Sequence, residues 1–87
     1  MGRYYVYTPN SVKKVIKKFP WDRQMDIRAK LLELETNPRL GVPMQGKYSD
    51  RRKIVVGNYR IIYYINEIEN IIEIKEVESR GNMSYDR

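Results

Sequence analysis

The alternation of apolar and polar residues is clearest at residues 53–65, where β-branched and aromatic side chains stand on both sides of Gly57-Asn58. A two-residue turn between two such runs is typical of a β-hairpin. Because loop length fixes the pairing of a tight hairpin, Val55 is predicted to lie opposite Arg60. One mostly apolar face then contains Arg52, Ile54, Val56, Tyr59, Ile61 and Tyr63, and the other face contains Arg51, Lys53, Val55, Arg60, Ile62 and Tyr64. The hairpin therefore predicts a sheet with an apolar side and a cationic side.

Two stretches before the hairpin have the spacing of amphipathic helices. After a first strand over Tyr4–Thr8, a helix is expected to begin at Pro9 and to end at Pro20. Its apolar positions follow the i, i+3, i+4, i+7 pattern at Val12, Val15, Ile16 and Phe19. A second helix is predicted over Trp21–Thr36, with Met25, Ala29 and Leu32 on one flank and Ile27, Leu31 and Leu34 on the other. The two helices are expected to form an antiparallel hairpin that covers the apolar side of the sheet, with Trp21 packed at its corner.

The remaining segments complete the predicted architecture. Residues 39–50 combine Gly, Pro and polar side chains without a period, which indicates a connecting loop. A last strand is predicted over Ile71–Val77, and because Val77 breaks its alternation, we expect a bulge near Lys75-Glu76. The sequence therefore predicts a single α+β domain over residues 1–87. Its N-terminal strand, two-helix hairpin and three-stranded antiparallel meander form one twisted sheet with the helices on one face.

Composition excludes several classes of chemistry. The chain contains no Cys and no His, which excludes disulfides, Cys/His zinc sites and Ser-His or Cys-His nucleophile pairs. We expect no metal site. No apolar run approaches the roughly 18 residues of a membrane span, and no secretory signal is predicted.

The charge is positive and unevenly distributed. Residues 1–60 hold 14 Lys or Arg against 5 Asp or Glu, whereas residues 61–87 hold 3 against 6. A basic body suggests a polyanionic partner, although solubility alone explains the charge equally well. Lys13 and Lys17 lie on the polar side of the first predicted helix, where they either bind phosphates or simply face water.

Several motifs together resemble the RelE/ParE superfamily of toxin-antitoxin toxins. They are N-P-R at residues 37–39, G-x-P at 41–43, V-G-N-Y-R-I-I-Y at 56–63, and V-x-S-R at 77–80 followed by a tyrosine. The resemblance covers nearly the whole chain, and G-N-Y-R-I-I-Y after two helices is its most specific part. It implies a RelE-like fold and a microbial RNA-cleaving toxin that cuts messenger RNA in the ribosomal A site. The implied partners are a cognate antitoxin wrapped around the toxin, messenger RNA and ribosomal RNA. A cytoplasmic location is implied, with no membrane and no small-molecule cofactor.

The resemblance also implies site residues. Arg60 matches the arginine of the family's Y-R, and Lys53 matches the first basic residue of its basic-x-basic strand. Arg80 and Tyr85 match an arginine and a tyrosine after the last strand, so residues 79–87 are expected to form a functional tail. Further candidates for RNA or ribosome contact are Arg51, Arg52, Lys47, Lys13 and Lys17.

RNA cleavage without a metal requires a base for the 2′-hydroxyl, cationic donors for the phosphorane and a proton for the 5′-oxygen. Arg60 and Arg80 suit the second role because a guanidinium stays charged and binds phosphate at two points. Lys53, diagonal to Arg60 at roughly 7–8 Å, and Tyr85 both remain candidates for the base.

Three observations keep other interpretations open. Val55 stands at the family's second basic position, and Ser79 stands where many members have histidine. Arg60 is also able to pair across strands with Glu73 or Glu76. One alternative, suggested by Val55, is a catalytically weakened RNA-binding relative. The other is a ParE-like, non-enzymatic inhibitor of DNA gyrase, against which the presence of both Arg80 and Tyr85 argues.

Overall fold

Five strands and two helices make up residues 3–79, the part of the chain that the computed structural model describes. In chain order they are β1 (Tyr5–Tyr7), α1 (Asn10–Lys17), α2 (Trp21–Leu34), β2 (Val42–Pro43), a turn of 3-10 helix (Gly46–Tyr48), β3 (Arg51–Val56), β4 (Tyr59–Asn66) and β5 (Ile71–Ser79). The predicted α+β order of a strand, two helices and a three-stranded meander is confirmed, and the structure adds one short strand, β2, between α2 and the meander. Within residues 3–79 no helix has the length and apolar character needed to cross a membrane.

The strands form one mixed sheet in the order β1-β5-β4-β3-β2. β1 runs parallel to β5, and the other neighbours are antiparallel. The β3–β4 register follows the Gly57-Asn58 turn as predicted, with Val56 opposite Tyr59 and Val55 opposite Arg60. Gly57 has a positive φ of 62°, a conformation that glycine adopts without steric cost.

Several element ends differ from the prediction. α1 ends at Lys17 and not at Pro20, and β5 continues two residues beyond Val77 to Ser79. β1 is shorter than Tyr4–Thr8, and α2 ends at Leu34, two residues before Thr36. Pro9 is the N-cap of α1, so the first helical residue is Asn10. Residues 39–50, expected to be a plain loop, contain the short edge strand β2 and the 3-10 helix, two elements too short for periodicity to reveal.

Both helices cover one face of the sheet. Val12 and Ile16 of α1 and Ile27 and Leu34 of α2 are buried in one cluster with the apolar face of the strands. The sheet contributes Ile54, Tyr59, Ile61, Tyr63, Ile72, Ile74 and Val77 to the same cluster. Phe19, just after α1, packs on Tyr59 with ring centroids 4.4 Å apart. This core supplies most of the driving force for folding because burying each such side chain contributes about 1.5–3 kcal/mol.

Only the flank of α2 with Ile27, Leu31 and Leu34 packs on the core, which corrects the expectation that the apolar residues of both flanks cover the sheet. Met25 is exposed, Leu32 is 61% exposed, and Trp21 is 71% exposed and not packed at a corner. Together with Ala29, which is also exposed, these residues form a line of apolar side chains on the outer side of α2. We call this line the outer α2 flank.

The predicted bulge is present in β5. Ile62 pairs with Glu76 and Tyr63 pairs with Ile74, so Lys75 is the extra residue between them. The insertion returns Val77 to the core face, where it is buried. It also changes which β5 residue lies opposite each residue in the first half of β4.

The Tyr63 hydroxyl attaches the loop after α2 to the sheet. It donates to the Pro38 carbonyl oxygen at 2.7 Å and accepts from the Gly41 backbone N–H at 2.8 Å. A Cβ atom at Gly41 would lie 2.7 Å from the Lys53 carbonyl oxygen and 2.9 Å from the Tyr63 hydroxyl. Glycine at position 41 therefore permits the close approach between this loop and β3.

Replacing Tyr63 with Phe removes both hydrogen bonds while keeping the ring. We expect Tyr63→Phe to lower the free energy of unfolding by about 2–3 kcal/mol, because the partners at Pro38 and Gly41 lose their hydrogen bonds. Urea denaturation monitored by circular dichroism measures this loss. Tyr59→Phe is the matched control, since the Tyr59 hydroxyl has no hydrogen-bond partner within residues 3–79; an equal loss in both variants contradicts the proposed attachment.

The dependence of stability on alkaline pH also tests the burial of the Tyr63 hydroxyl. Burial raises the pKa of Tyr63 above the usual value of 10.0, outweighing the lowering effects of the Gly41 hydrogen bond and of Arg52 and Arg39. The unfolded chain loses this proton near pH 10 while the folded chain retains it, so stability is complete below about pH 10 and falls above it. Urea denaturation at pH 9 and pH 11 should show a larger loss for the wild type than for Tyr63→Phe. Equal losses contradict the raised pKa.

Candidate active site on the open face of the sheet

The face of the sheet opposite the helices carries stripes of opposite charge. β3 places Arg51 and Lys53 on this open face, whereas β5 places Glu76 and Glu78 there. β4 lies between them and contributes Arg60, Ile62 and Tyr64. The three basic residues that the hairpin predicts on this face are present, but β5 adds carboxylates beside β4, so the face as a whole is not a cationic one.

Arg60 is ion-paired with Glu78, the residue directly opposite it on β5. The guanidinium contacts a single carboxylate oxygen, Oε2, through Nε at 3.1 Å and also through Nη2. The two side chains are 28% and 26% exposed, so the pair is only partly solvated. Arg60 thus lies where the sequence predicts, on the same face as Lys53, but with its charge countered.

Lys53 lies opposite Ile62 on β4 and opposite Val42 on β2, both on the open face. Among residues 3–79 it forms no ion pair. It borders a shallow groove of about 320 Å³ that also contains Lys30 and the apolar residues Leu40 and Val55. Lys53 is therefore a cation with access to solvent at the edge of the open face.

Arg51 and Lys47 gather around the Tyr48 ring beside β3. The guanidinium carbon of Arg51 lies 4.9 Å from the ring centroid, and the Lys47 Nζ lies 5.6 Å from it. Both distances fall within the range of cation–π attraction. The Arg51 Nε atom is buried without a hydrogen-bond partner within the described residues. This cluster adds two positive charges and an exposed aromatic ring to the β3 side of the open face.

Three other predicted site residues lie elsewhere. Arg52 lies on the core face of β3 and donates to the Gly41 carbonyl oxygen at 2.7 Å, which makes it part of the loop attachment. Lys13 and Lys17 belong to α1, on the helical side of the sheet, where they line a groove of about 310 Å³ with Arg28. Predicted site residues Arg80 and Tyr85 lie outside the described residues, 3–79. The structure thus gathers Arg51, Lys53, Arg60 and Lys47 on or beside the open face.

Sequence reasoning missed Glu78 and Tyr48. The signal for Glu78 was present in the predicted bulge, because one extra residue in β5 exchanges Val77 for Glu78 opposite Arg60. Tyr48 had no comparable signal, since it lies in a 3-10 helix within a segment without periodicity. Cations spaced across two strands can bind a phosphate group at several points, which is the chemistry the open face offers.

Comparison with known proteins gives one family match. The family model described as the ParE toxin of the type II toxin-antitoxin system parDE matches residues 5–83. A search of curated protein sequences gives no match.

Several solved structures with a similar fold are toxins of toxin-antitoxin systems. The Mycobacterium tuberculosis RelBE2 complex matches with a TM-score of 0.83 and 22% identity over 93% of this chain and 95% of that one. The archaeal RelE-RelB complex from Pyrococcus horikoshii gives 0.74 and 23%, over 91% and 97% of the two chains. The isolated Escherichia coli RelE toxin gives 0.76 and 20%, over 87% and 83%.

Proposed function

This chain belongs to the ParE toxin family of type II toxin-antitoxin systems, and within that family we propose, from the side chains on its open face, that it is an endoribonuclease. Its proposed substrate is messenger RNA in the ribosomal A site, in the cytoplasm. The observation that carries the proposal is the placement of Arg60 and Lys53 on one open face beside Arg51. These three residues match the chemistry required to bind a phosphodiester and to stabilise its charge during cleavage.

The proposed reaction is an attack by the ribose 2′-oxygen on the adjacent phosphorus. The new P–O2′ bond forms while the P–O5′ bond breaks, leaving a 2′,3′-cyclic phosphate and a free 5′-hydroxyl. A base takes the 2′-hydroxyl proton, and an acid gives a proton to the departing 5′-oxygen. Both ends of the reaction need proton transfer, and the phosphorane between them needs positive charge.

The cationic side chains divide these roles. Arg60 is proposed to stabilise the phosphorane, because its guanidinium remains charged throughout. Lys53 or Tyr85 is proposed as the base, with Arg80 as a second phosphate ligand. Arg51 and Lys47 are proposed to bind the flanking RNA, and the Tyr48 ring between them offers a surface on which a base can stack. Arg52, Lys13 and Lys17 are less suited to direct substrate contact, since they lie on the helical side of the sheet.

Inhibition of DNA gyrase is the second candidate function. Two observations favour it: the matching family model is that of parDE toxins, and Arg60 is neutralised by Glu78 while its other cross-strand neighbour is Val55. A non-enzymatic inhibitor needs no free cation at this position. The two functions differ in product, since only the nuclease generates new RNA ends.

A cognate antitoxin is the partner that a type II toxin requires. The solved complexes similar to this chain each contain an antitoxin with the toxin. We propose that the antitoxin covers the outer α2 flank, where Trp21, Met25 and Leu32 expose apolar surface. Exposed apolar residues that lie together on one side of a helix are typical of a protein-protein contact.

Cleavage on programmed ribosomes tests the nuclease proposal. We expect the wild-type protein to generate new 5′ ends within A-site codons, mapped by primer extension. Arg60→Ala should reduce the cleavage rate by about 10²-fold, since removing a group that stabilises transition-state charge has effects of this order. Lys14→Ala, which removes an exposed positive charge from α1, is the control and should cleave at the wild-type rate. Absence of new ends together with inhibition of gyrase supercoiling contradicts the nuclease and supports the second function.

Charge placed on the outer α2 flank tests the proposed antitoxin surface. Leu32→Glu should weaken binding of the co-expressed antitoxin at least tenfold, because a carboxylate replaces an apolar contact at a buried interface. Isothermal titration calorimetry of the refolded toxin measures the affinity. Ile68→Glu is the control, since Ile68 is also apolar and is even more exposed than Leu32, at 94% against 61%, but lies in the β4–β5 turn. If Ile68→Glu and Leu32→Glu weaken binding equally, the antitoxin does not select this flank.

A further inference from the structure

The Arg60–Glu78 ion pair makes the candidate site less positive than a surface that binds RNA is expected to be. Arg60 faces the open side of the sheet, yet both of its contacts within residues 3–79 go to one carboxylate oxygen of Glu78. The pair is only about a quarter exposed, so the two charges screen each other more effectively than they would in bulk water. A phosphate approaching Arg60 therefore meets an arginine whose charge is already compensated.

The pairing is a consequence of the β5 bulge. Because Lys75 is inserted, Glu76 lies opposite Ile62 and Glu78 lies opposite Arg60. Glu76 is on the same strand and the same face, but it forms no ion pair among residues 3–79. The chain thus contains two neighbouring glutamates of which only one contacts the arginine.

We infer that Glu78 masks Arg60 in the free protein and that a substrate phosphate must displace Glu78 to bind the guanidinium. This inference deepens the proposed nuclease function and rests on it for its biological meaning. Glu78 is a positioning residue in this scheme, because it acts through Arg60 and does not contact the reacting atoms.

The contact geometry favours displacement of Glu78 over permanent pairing. Guanidinium carries five N–H donors, and Glu78 engages two nitrogens through a single oxygen. A phosphodiester presents two oxygens able to form the parallel, two-point contact that arginine prefers. Only a phosphate held in place at several other points competes well with a carboxylate on the neighbouring strand. Masking therefore weakens binding to loose RNA more than binding to RNA fixed by Arg51, Lys53 and the ribosome.

Binding to an RNA that cannot be cleaved tests the masking directly. The probe is a fluorescent single-stranded RNA oligonucleotide with 2′-O-methyl riboses, and its affinity is measured by anisotropy between 50 and 200 mM KCl. Glu78→Gln keeps the side-chain shape and removes the charge, so it should bind about three- to tenfold more tightly than the wild type. The plot of log affinity against log salt should become steeper by about 0.7, the value for one additional phosphate contact on a single strand.

Glu76→Gln is the matched control, because it removes the same charge from the same face without touching Arg60. It should raise affinity less and leave the salt slope unchanged. The double variant Arg60→Gln/Glu78→Gln should return the slope to the wild-type value, since the released cation is no longer present. Glu78→Asp, one methylene shorter, should give an intermediate affinity, and it replaces Glu78→Gln if that variant unfolds.

Unchanged or weaker binding by Glu78→Gln, with an unchanged slope, overturns the inference and makes Glu78 a support that holds Arg60 in position. The ribosome assay with the same variants separates this failure from failure of the nuclease proposal. A steeper slope without cleavage by any variant supports masking and contradicts the nuclease. Cleavage that depends on Arg60, without a change in the salt slope of Glu78→Gln, supports the nuclease and contradicts masking.

Discussion

Pairing among β3, β4 and β5 decides which side chains share the open face, because a shift of one residue would exchange the two faces of a strand. Two local features set this pairing. Gly57-Asn58 fixes β3 against β4, and the insertion of Lys75 fixes the second half of β5 against the first half of β4. The buried isoleucines stabilise this pairing, since a slip of one residue would move them from the core face to the open face. The candidate site therefore depends on a core that lies on the opposite side of the same strands.

The two faces are also connected through β3 and the loop that follows α2. The Gly41 N–H donates to the Tyr63 hydroxyl, and Arg52 donates to the Gly41 carbonyl oxygen. A side chain at position 41 would collide with the Lys53 carbonyl oxygen. Alternate residues of β3 therefore have different roles. Arg52 holds the loop after α2 in place, whereas Arg51 and Lys53 lie on the open face. Because these cations stand on a paired strand, their backbone positions are fixed before any substrate binds, which lowers the entropic cost of recognition.

Strong local signals made much of this structure predictable from the sequence. The Gly-Asn turn fixed the hairpin register, and the break at Val77 identified the bulge. Propensity and spacing could not show which flank of α2 is buried, because that choice depends on how the helix docks on the sheet. The pairing of Arg60 with Glu78, in place of Glu73 or Glu76, depends on register beyond the bulge. Short elements such as β2 and the 3-10 helix escape periodicity altogether.

The brevity of β2 has a consequence for the sheet as a whole. β2 pairs only with Arg52 and Lys53, so within the described residues the outer side of β3 from Ile54 to Val56 has no neighbouring strand. Pro43 lacks an N–H and so limits further growth of β2 itself. The unpaired edge of β3 next to β2 remains a template on which another polypeptide can add as a sixth strand. Since an unpaired strand edge favours association between molecules, we expect the isolated protein to aggregate more readily than a complex in which a bound chain covers this edge.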